Sequence, residues 1–454
     1  MTFDRVLHEL IRVCSDGDLR AIDDAIARYA VVRDVRGRVR LVVEQRNSKQ
    51  KLPLDDLERA LRAALGDWFV GPVVSDAART DLQHLARKVL ELAKHKWPIG
   101  WPISLPNVLG GQETPLDVRG RWSGIERTIG KEAWLTEEPP KPPWPLETGK
   151  TPPIVTFHSF KGGVGRTTLV GVYAIRLASR EARRRVAIVD LDLEAPGVGD
   201  LFGVRTERGT LDVIVDYIAT GVLNFDGASA IAQVDPSIDP YITVFPAGRI
   251  DAAYVQKLAR LDFSSAEPGA TNPVGSALSA MLERMKAEGR FDVILLDSRA
   301  GLHDIAGMSV HGLAHVDVLV FRGTTQNFAG LEQTLRTLGR GKRAGLVLVE
   351  TLLPADEKSA LYKSRQDRTR ERVYDLMCEY TYDNDSPPQL TDKGEPHEVV
   401  SVRRRDWLDG IDSLAGRVNE VLRDSEFTEL AARVDEKCRL EVEPDVADDD
   451  EEPA

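Results

Sequence analysis

FHSFKGGVGRTTL, residues 157–169, follows an apolar run, IVTF (154–157), and opens a segment of helical character, TTLVGVYAIRLASR (167–180). The stretch is close to the phosphate-loop pattern G-x-x-x-x-G-K-[ST] but misses it twice. Phe160 stands at the first glycine and Arg166 at the lysine. Its physical content is nonetheless that of an anion cradle. Gly162, Gly163 and Gly165 permit backbone angles that other residues avoid. A buried strand, a glycine turn and a helix start bring successive N–H groups and a helix N-terminus to one point, which attracts phosphate. Thr167 is placed to offer a hydroxyl to Mg²⁺. A plain glycine-rich turn between strand and helix is the alternative. The strand, three glycines, cation and Thr167–Thr168 pair falling in register argue against it.

Outward from this loop, the chain alternates. VAIVDLD (186–192), YITVF (241–245), FDVILLD (291–297), VDVLVF (316–321), AGLVLV (344–349) and EVVSV (398–402) read as strands with helical segments between them. Continuous rather than alternating apolar runs suit strands covered on both faces. The expected fold is α/β: a mostly parallel, doubly wound P-loop NTPase sheet with helices on both faces, its ligand beyond the carboxyl ends of the strands. Before it, a smaller, mainly helical (α+β) N-terminal domain is expected. Residues 17–30, 54–66 and 77–95 have helical periodicity, and VVRDVRGRVRLVVEQ (31–45) reads as two strands around a turn. Residues 136–153 hold seven prolines in 18 positions, the composition of a semi-rigid linker. The expected organisation is an accessory, partner-binding domain over 1–135, a linker over 136–153, the NTPase domain over 154–435 and an acidic disordered tail over 436–454.

With 454 residues, 42% hydrophobic and 29% charged, the composition is that of a soluble globular protein. No run approaches a membrane span, and no secretory apolar core opens the chain, so a cytoplasmic location is expected. Cys14, Cys378 and Cys438 are far apart and read as isolated thiols. A net charge of −12 weighs against the whole surface binding nucleic acid. Six of the seven tryptophans fall between 68 and 144, which reads as a small core using large side chains.

VAIVDLDLEAPG ends a strand with Asp190 and Asp192, and FDVILLDSRAGLHD ends one with Asp297. Together with the loop, these motifs resemble the deviant Walker A loop, K-G-G-x-G-K-[ST]-[ST], of the partition and septum-placement ATPases (the ParA/MinD-type superfamily), in a subgroup with K-G-G-V-G-R. The resemblance covers about residues 154–425 and weakens beyond 350. It accounts for Phe160, since the first glycine is absent by rule in that family. It makes Lys161 the signature lysine that reaches the partner's nucleotide across a sandwich dimer. Asp192 matches the switch I acid that orients the attacking water, although the proline that usually follows has moved to Pro196. Asp297 matches the Walker B acid that holds Mg²⁺ through water, and Gly301 the switch II amide donor. YITVFPAGR resembles the family's strand ending in P-A-G.

The resemblance implies catalytic roles for Lys161, Arg166 and Asp192, and ATP contacts from Lys161, Gly162, Gly163, Val164, Gly165, Arg166, Thr167, Thr168 and Gly301. Thr167, Asp192 and Asp297 serve the metal. ATP is favoured over GTP by the resemblance, and no [NT]-K-x-D motif is present. For base recognition, Pro354 and the stretch 398–405 are candidates. Arginine keeps the loop charge but replaces a compact point charge with a larger planar fork, so binding is expected to persist and hydrolysis to be slow. Arg299, outside the family pattern, is either a γ-phosphate contact or the partner of Asp304 or another nearby acid.

The implied function is an ATP-switched homodimer that controls a protein partner through its N-terminal domain, in a bacterial regulatory or conflict system. The alternative is a DNA-positioning ATPase, for which Arg183–Arg185 and Arg403–Arg405 are the available basic runs. Membrane placement is disfavoured because the chain ends in acids. A bacterial tyrosine kinase, which shares the loop, fits poorly with a tail that lacks tyrosine, and a non-catalytic scaffold fits poorly with the retained Thr167, Asp192 and Asp297.

Overall fold

The computed structural model describes residues 3–34, 36–77, 82–94, 104–107, 114–117, 120–126, 130–135, 142–264, 272–339, 345–383 and 385–440. Of the acidic tail expected over 436–454, residues 436–438 instead end a helix that runs from Ser425 to Cys438, and 441–454 lie outside the described residues, as do Trp97, Trp101 and residues 136–141. The chain divides into two compact units, one formed mainly by 1–130 and one by 131–134, 138–263 and 271–454.

In the first unit, α1 (Phe3–Cys14) and α2 (Arg20–Ala25) precede β1 (Ile26–Arg33) and β2 (Val39–Gln45). Then come α3 (Leu54–Leu65), β3 (Val74–Ser75), α4 (Leu82–Leu92), β4 (Ser104–Asn107), β5 (Thr114–Asp117) and β6 (Trp122–Glu126). One sheet has the order β3-β2-β1-β6, and β4 and β5 form a separate pair. Tyr29, Val31, Leu41 and Val43 face α1 and α3, whereas Ala30, Val42 and Ile125 face α4. The unit is thus an α+β arrangement in which helices cover a sheet, as its sequence suggests. Helical periodicity over 17–30 holds only to Ala25. The register of β1 against β2 shifts between Ile26 and Arg28, a bulge that inserts one extra residue. It places Ile26 and Tyr29, three apart, in the same buried cluster, a spacing that in sequence reads as a helix. Trp122 is buried and stacks on Tyr29 with centroids 4.2 Å apart, as the core reading of the tryptophans requires.

The second unit begins with β7 (Ile154–His158), α5 (Arg166–Ser179), β8 (Val186–Asp190), α6 (Val198–Leu201), α7 (Thr210–Thr220), β9 (Ala230–Ile231) and β10 (Ile242–Phe245). It continues through α8 (Ala252–Leu258), α9 (Pro273–Ala287), β11 (Val293–Asp297), α10 (Asp304–Met308), β12 (Val316–Phe321) and α11 (Thr325–Leu338). It closes with β13 (Leu346–Leu353), α12 (Ala360–Tyr380), β14 (Val400–Arg403), α13 (Val418–Arg423) and α14 (Ser425–Cys438). The sheet order is β14-β13-β12-β7-β11-β8-β10-β9. All pairs are parallel except β9 with β10.

Strand residues alternate between the two faces. Val155, Phe157, Val186, Ile188, Val293, Leu295, Val316, Val318, Val347 and Val349 pack with α5, α13 and α14. Ile154, Ala187, Val189, Ile294 and Leu296 pack with α7 and α9, and Leu319, Phe321, Leu346 and Leu348 with α11 and α12. Burial on both sides is why the strands read as unbroken apolar runs. This is the mostly parallel, two-faced α/β sheet expected of a P-loop NTPase. After β7 the chain crosses over to β8, and β11 fills the place between them, so the order reverses beside the β7 carboxyl end, where ligands of such sheets bind.

Residues 142–153 are packed on this unit instead of standing free as a spacer. Trp144 is buried, and its indole N–H donates to Pro152 O at 3.0 Å. His315 braces the segment, its Nδ1 accepting from Ile154 N at 2.9 Å and its Nε2 lying 2.7 Å from Trp144 O. We predict that Trp144→Ala lowers the stability of the second unit by about 3–5 kcal/mol. Urea denaturation checks this, and an unchanged midpoint would mean that the segment is not part of the packed core.

Candidate functional site

The loop between β7 and α5 adopts the conformation its glycines allow. Gly163 and Gly165 have φ of 71° and 84°, in the left-handed region that side-chain-bearing residues avoid. The N-terminus of α5 has no side-chain cap, so its first N–H groups are not claimed by a capping side chain. Two contacts fix the loop. Thr351, near the end of β13, donates its hydroxyl to Val164 O at 2.7 Å. Phe160 packs on α11 at Gly330, where an added Cβ would come within 1.9 Å of the Phe160 ring. The side chain that breaks the standard loop pattern is therefore the loop's anchor. Lys161, Gly162 and Gly163 are exposed, Val164 is buried, and Thr168 is half-buried in the first turn of α5. The Lys161 ammonium stands 5.6 Å from the Phe160 ring centroid.

Beneath the loop, the predicted acids converge on Arg166. Its Nε donates to Asp297 Oδ1 at 2.6 Å and its Nη2 to Asp192 Oδ2 at 2.9 Å. The Thr167 hydroxyl donates to the other Asp297 oxygen at 2.7 Å. Sequence reading assigned Arg166 to phosphate. Here its guanidinium is buried and turned back onto the two carboxylates expected to serve the metal, because two buried acids attract the nearest cation. Burial works against that charge, but Asp297 and Asp192 outweigh it and hold Arg166 firmly protonated. Asp190 plays a different part: its carboxylate accepts the amides of Asp192, Gly197 and Val198 at 3.1–3.2 Å and shapes the turn after β8. Asp190 and Asp297 are register partners on neighbouring strands. Burial raises both carboxyls above their usual range, joined at Asp190 by the charge of Asp297 and at Asp297 by that of Asp192.

Flanking segments are tied to each other. Arg299 pairs with Glu194 at 2.5 Å, and His303 Nε2 lies 3.4 Å from the same carboxylate. The Arg299 ion pair holds the Glu194 carboxyl below its usual range. Asp304 is taken by Lys131 Nζ at 2.7 Å, so of the two readings of Arg299 the structure shows an ion pair, with Glu194. The Gly301 amide, expected to be a phosphate donor, donates to Ser159 O at 2.9 Å. Sequence reasoning missed Glu194, Thr351 and His158. The acid pattern stops at Asp192, and Thr351 and His158 sit within strands where nothing in the pattern marks them. His158 is fully buried below the loop, and burial together with the Arg166 charge pushes its pKa down to about 3.

Arg183 donates to Ala178 O and Ser237 O at 3.2 Å, and Arg185 and the run 403–405 are engaged by acids. Arg185 pairs with Asp292, Arg403 with Glu357 and Glu426, Arg404 with Asp409, and Arg405 with Asp424 and Glu426. Leu353 O, next to Pro354, accepts from Arg404 N, so the two base-recognition candidates adjoin. Among the described residues no group of three or more His, Cys, Asp and Glu side chains forms a metal cage. The donor set here, a hydroxyl and two carboxylates, instead fits Mg²⁺, which keeps waters and phosphate oxygens in its shell and takes few protein ligands.

Two outcomes follow. In an ordinary helix interior Gly→Ala gains about 1 kcal/mol. Gly330→Ala is expected instead to lose about 1–3 kcal/mol by overpacking against Phe160. Phe160→Ala in the same chain should restore part of it, as urea midpoints of the single and double variants will show. His158 stays neutral in the folded chain while the unfolded chain takes its proton below about pH 6.5, so its contribution to stability is lost as pH falls from there towards about 3. Between about pH 7.5 and pH 5, His158→Gln should lose about 2 kcal/mol less than the parent. Equal losses in the two chains would remove this role of His158.

No protein-family model matches the chain, and no curated protein matches it in sequence. Solved structures do. The structure of pNOB8 ParA bound to nonspecific DNA matches with a TM-score of 0.41 and 18% identity, covering 63% of this chain and 98% of that one. The cell division ATPase MinD of Pyrococcus furiosus matches at 0.34 and 23%, over 48% and 78% of the two chains. The MinC:MinD cell division complex of Aquifex aeolicus matches at 0.39 and 17%, over 64% and 98%. The solved structures to which this chain is similar are thus ParA and MinD proteins.

Proposed function

We propose that this protein is a Mg²⁺-dependent ATPase of slow turnover that acts as a switch, forming a nucleotide-controlled homodimer. The observation that carries the reading is the meeting of Arg166, Thr167, Asp192 and Asp297 under an uncapped helix N-terminus, at the carboxyl ends of β7, β8 and β11. Backbone amides of 162–168 cradle the phosphates, and Lys161, exposed at the loop's outer side, is free to reach a second chain's nucleotide. Thr167, Asp192 and Asp297 would hold Mg²⁺, which supplies charge neutralisation at the β- and γ-phosphates. Asp192 orients the attacking water. Arg166 brings a positive charge to the transferring phosphoryl group, but its larger planar fork places that charge less compactly than a lysine ammonium, and turnover is slow for that reason. Arg299 and Gly301 belong to a segment whose present contacts, Glu194 and Ser159 O, are replaced when a γ-phosphate is bound. The first unit binds the partner whose state the switch controls. The arginines of 403–405 are held by acids and give the DNA-positioning reading little support.

The test is phosphate release and mass in solution. The protein should release phosphate from ATP with Mg²⁺, and its mass should double with a slowly hydrolysed ATP analogue but not with ADP. Asp192→Asn should lower turnover by about 10²-fold or more with nucleotide still bound, and Lys161→Ala should stay monomeric with the analogue. A mass independent of nucleotide would remove the switch, and absence of both binding and hydrolysis would remove the ATPase.

A further inference from the structure

Arg166 contacts the same groups that a divalent cation would use. Its planar fork spends Nε on Asp297 and Nη2 on Asp192, and Nη2 also lies 3.4 Å from the Thr167 hydroxyl. The guanidinium is 8% exposed and the two carboxylates 0% and 11%, so water does little to screen them. Asp190, on the neighbouring strand, adds a third carboxyl group to the same buried region, its oxygens taken by the amides of Asp192, Gly197 and Val198. Mg²⁺ binds oxygen at about 2.0–2.1 Å and tolerates little distortion. A guanidinium lodged between the two carboxylates leaves it no room. The two cations exclude one another.

We propose that Arg166 is a tethered counter-cation that holds the metal position in the nucleotide-free protein and gives it up when phosphate arrives, so that the divalent cation enters only together with the nucleotide. This rests on the reading of the loop as a nucleoside triphosphate site and assigns a regulatory role to its one unexplained residue. A phosphate group on the loop offers the fork two other oxygens, which makes the exchange possible without leaving a buried charge unpaired. The proposal also explains the arginine itself. A lysine ammonium donates from a single nitrogen and lacks the planar fork whose separate nitrogens reach Asp297 and Asp192. The switch segments are linked to the same event: Asp192 is two residues from Glu194 and Asp297 two from Arg299, so freeing the acids from Arg166 loosens the turns that the Glu194–Arg299 pair joins.

The experiment uses the whole chain without nucleotide and reads Mn²⁺ binding by electron paramagnetic resonance and thermal midpoint with and without Mg²⁺. Nucleotide-free parent protein should bind Mn²⁺ no better than a surface site and show no Mg²⁺-dependent midpoint. Adding ADP should bring Mn²⁺ into the bound population. Arg166→Lys and Arg166→Gln should melt lower in chelator, recover with millimolar Mg²⁺, and bind Mn²⁺ at least tenfold more tightly than the parent without any nucleotide. Asp297→Asn in the Arg166→Gln chain should abolish that gain. Parent protein that binds Mn²⁺ as tightly as the variants overturns the proposal, and so do folded variants indifferent to metal. The parent arm decides even where Arg166→Gln does not fold. Loss of the ATPase reading would appear separately, as no nucleotide binding in any chain, with the nucleotide-free metal arms unaffected.

Discussion

One guanidinium set between two buried carboxylates organises this site. Asp297 ends β11 and Asp192 follows β8, adjacent parallel strands. Their charges are tolerable inside the protein only because Arg166 reaches both. Removing one member of such a cluster strands the others, at a cost of about 3–5 kcal/mol. That constraint fixes the first turn of α5 against the sheet, and with it the loop above. It also places His158, neutral and buried, close enough to feel the same positive charge.

The remaining architecture holds the strand ends in place. Seven parallel strands are covered on both faces, and their residues sort alternately into the clusters under α5, α13 and α14 and under α7, α9, α11 and α12. Loop position is then set by contacts that reach across the sheet, Thr351 to Val164 O and Phe160 to Gly330. Both come from strands or helices remote in sequence. A loop held this way is fixed from both β13 and α11, while the Lys161 side chain stays exposed.

Much of this was legible in the sequence. The apolar runs, the glycines in register and the terminal acids of β8 and β11 each have a local signature, and the fold and the grouping of Thr167, Asp192 and Asp297 follow from them. What was not legible depends on tertiary proximity. Arg166 reads as a phosphate ligand because its motif position is local, whereas its turn onto the acids arises only when two strand ends meet. Glu194 as the partner of Arg299, in place of Asp304, depends on which loop lies nearer, and Lys131 claims Asp304 from far away in the chain. In the first unit, the bulge in β1 imitates a helical period. In the proline-rich segment, composition alone does not reveal that Trp144 is buried.

Calorimetric titration of Mg²⁺ and ATP into the folded chain tests the central claim most directly. Saturable binding of one nucleotide per chain, with affinity falling sharply when chelator replaces Mg²⁺, is the predicted result. A folded chain that takes up no ATP at millimolar concentration would contradict the account, because the uncapped helix, the glycine loop and the acid–arginine cluster would then be structural alone.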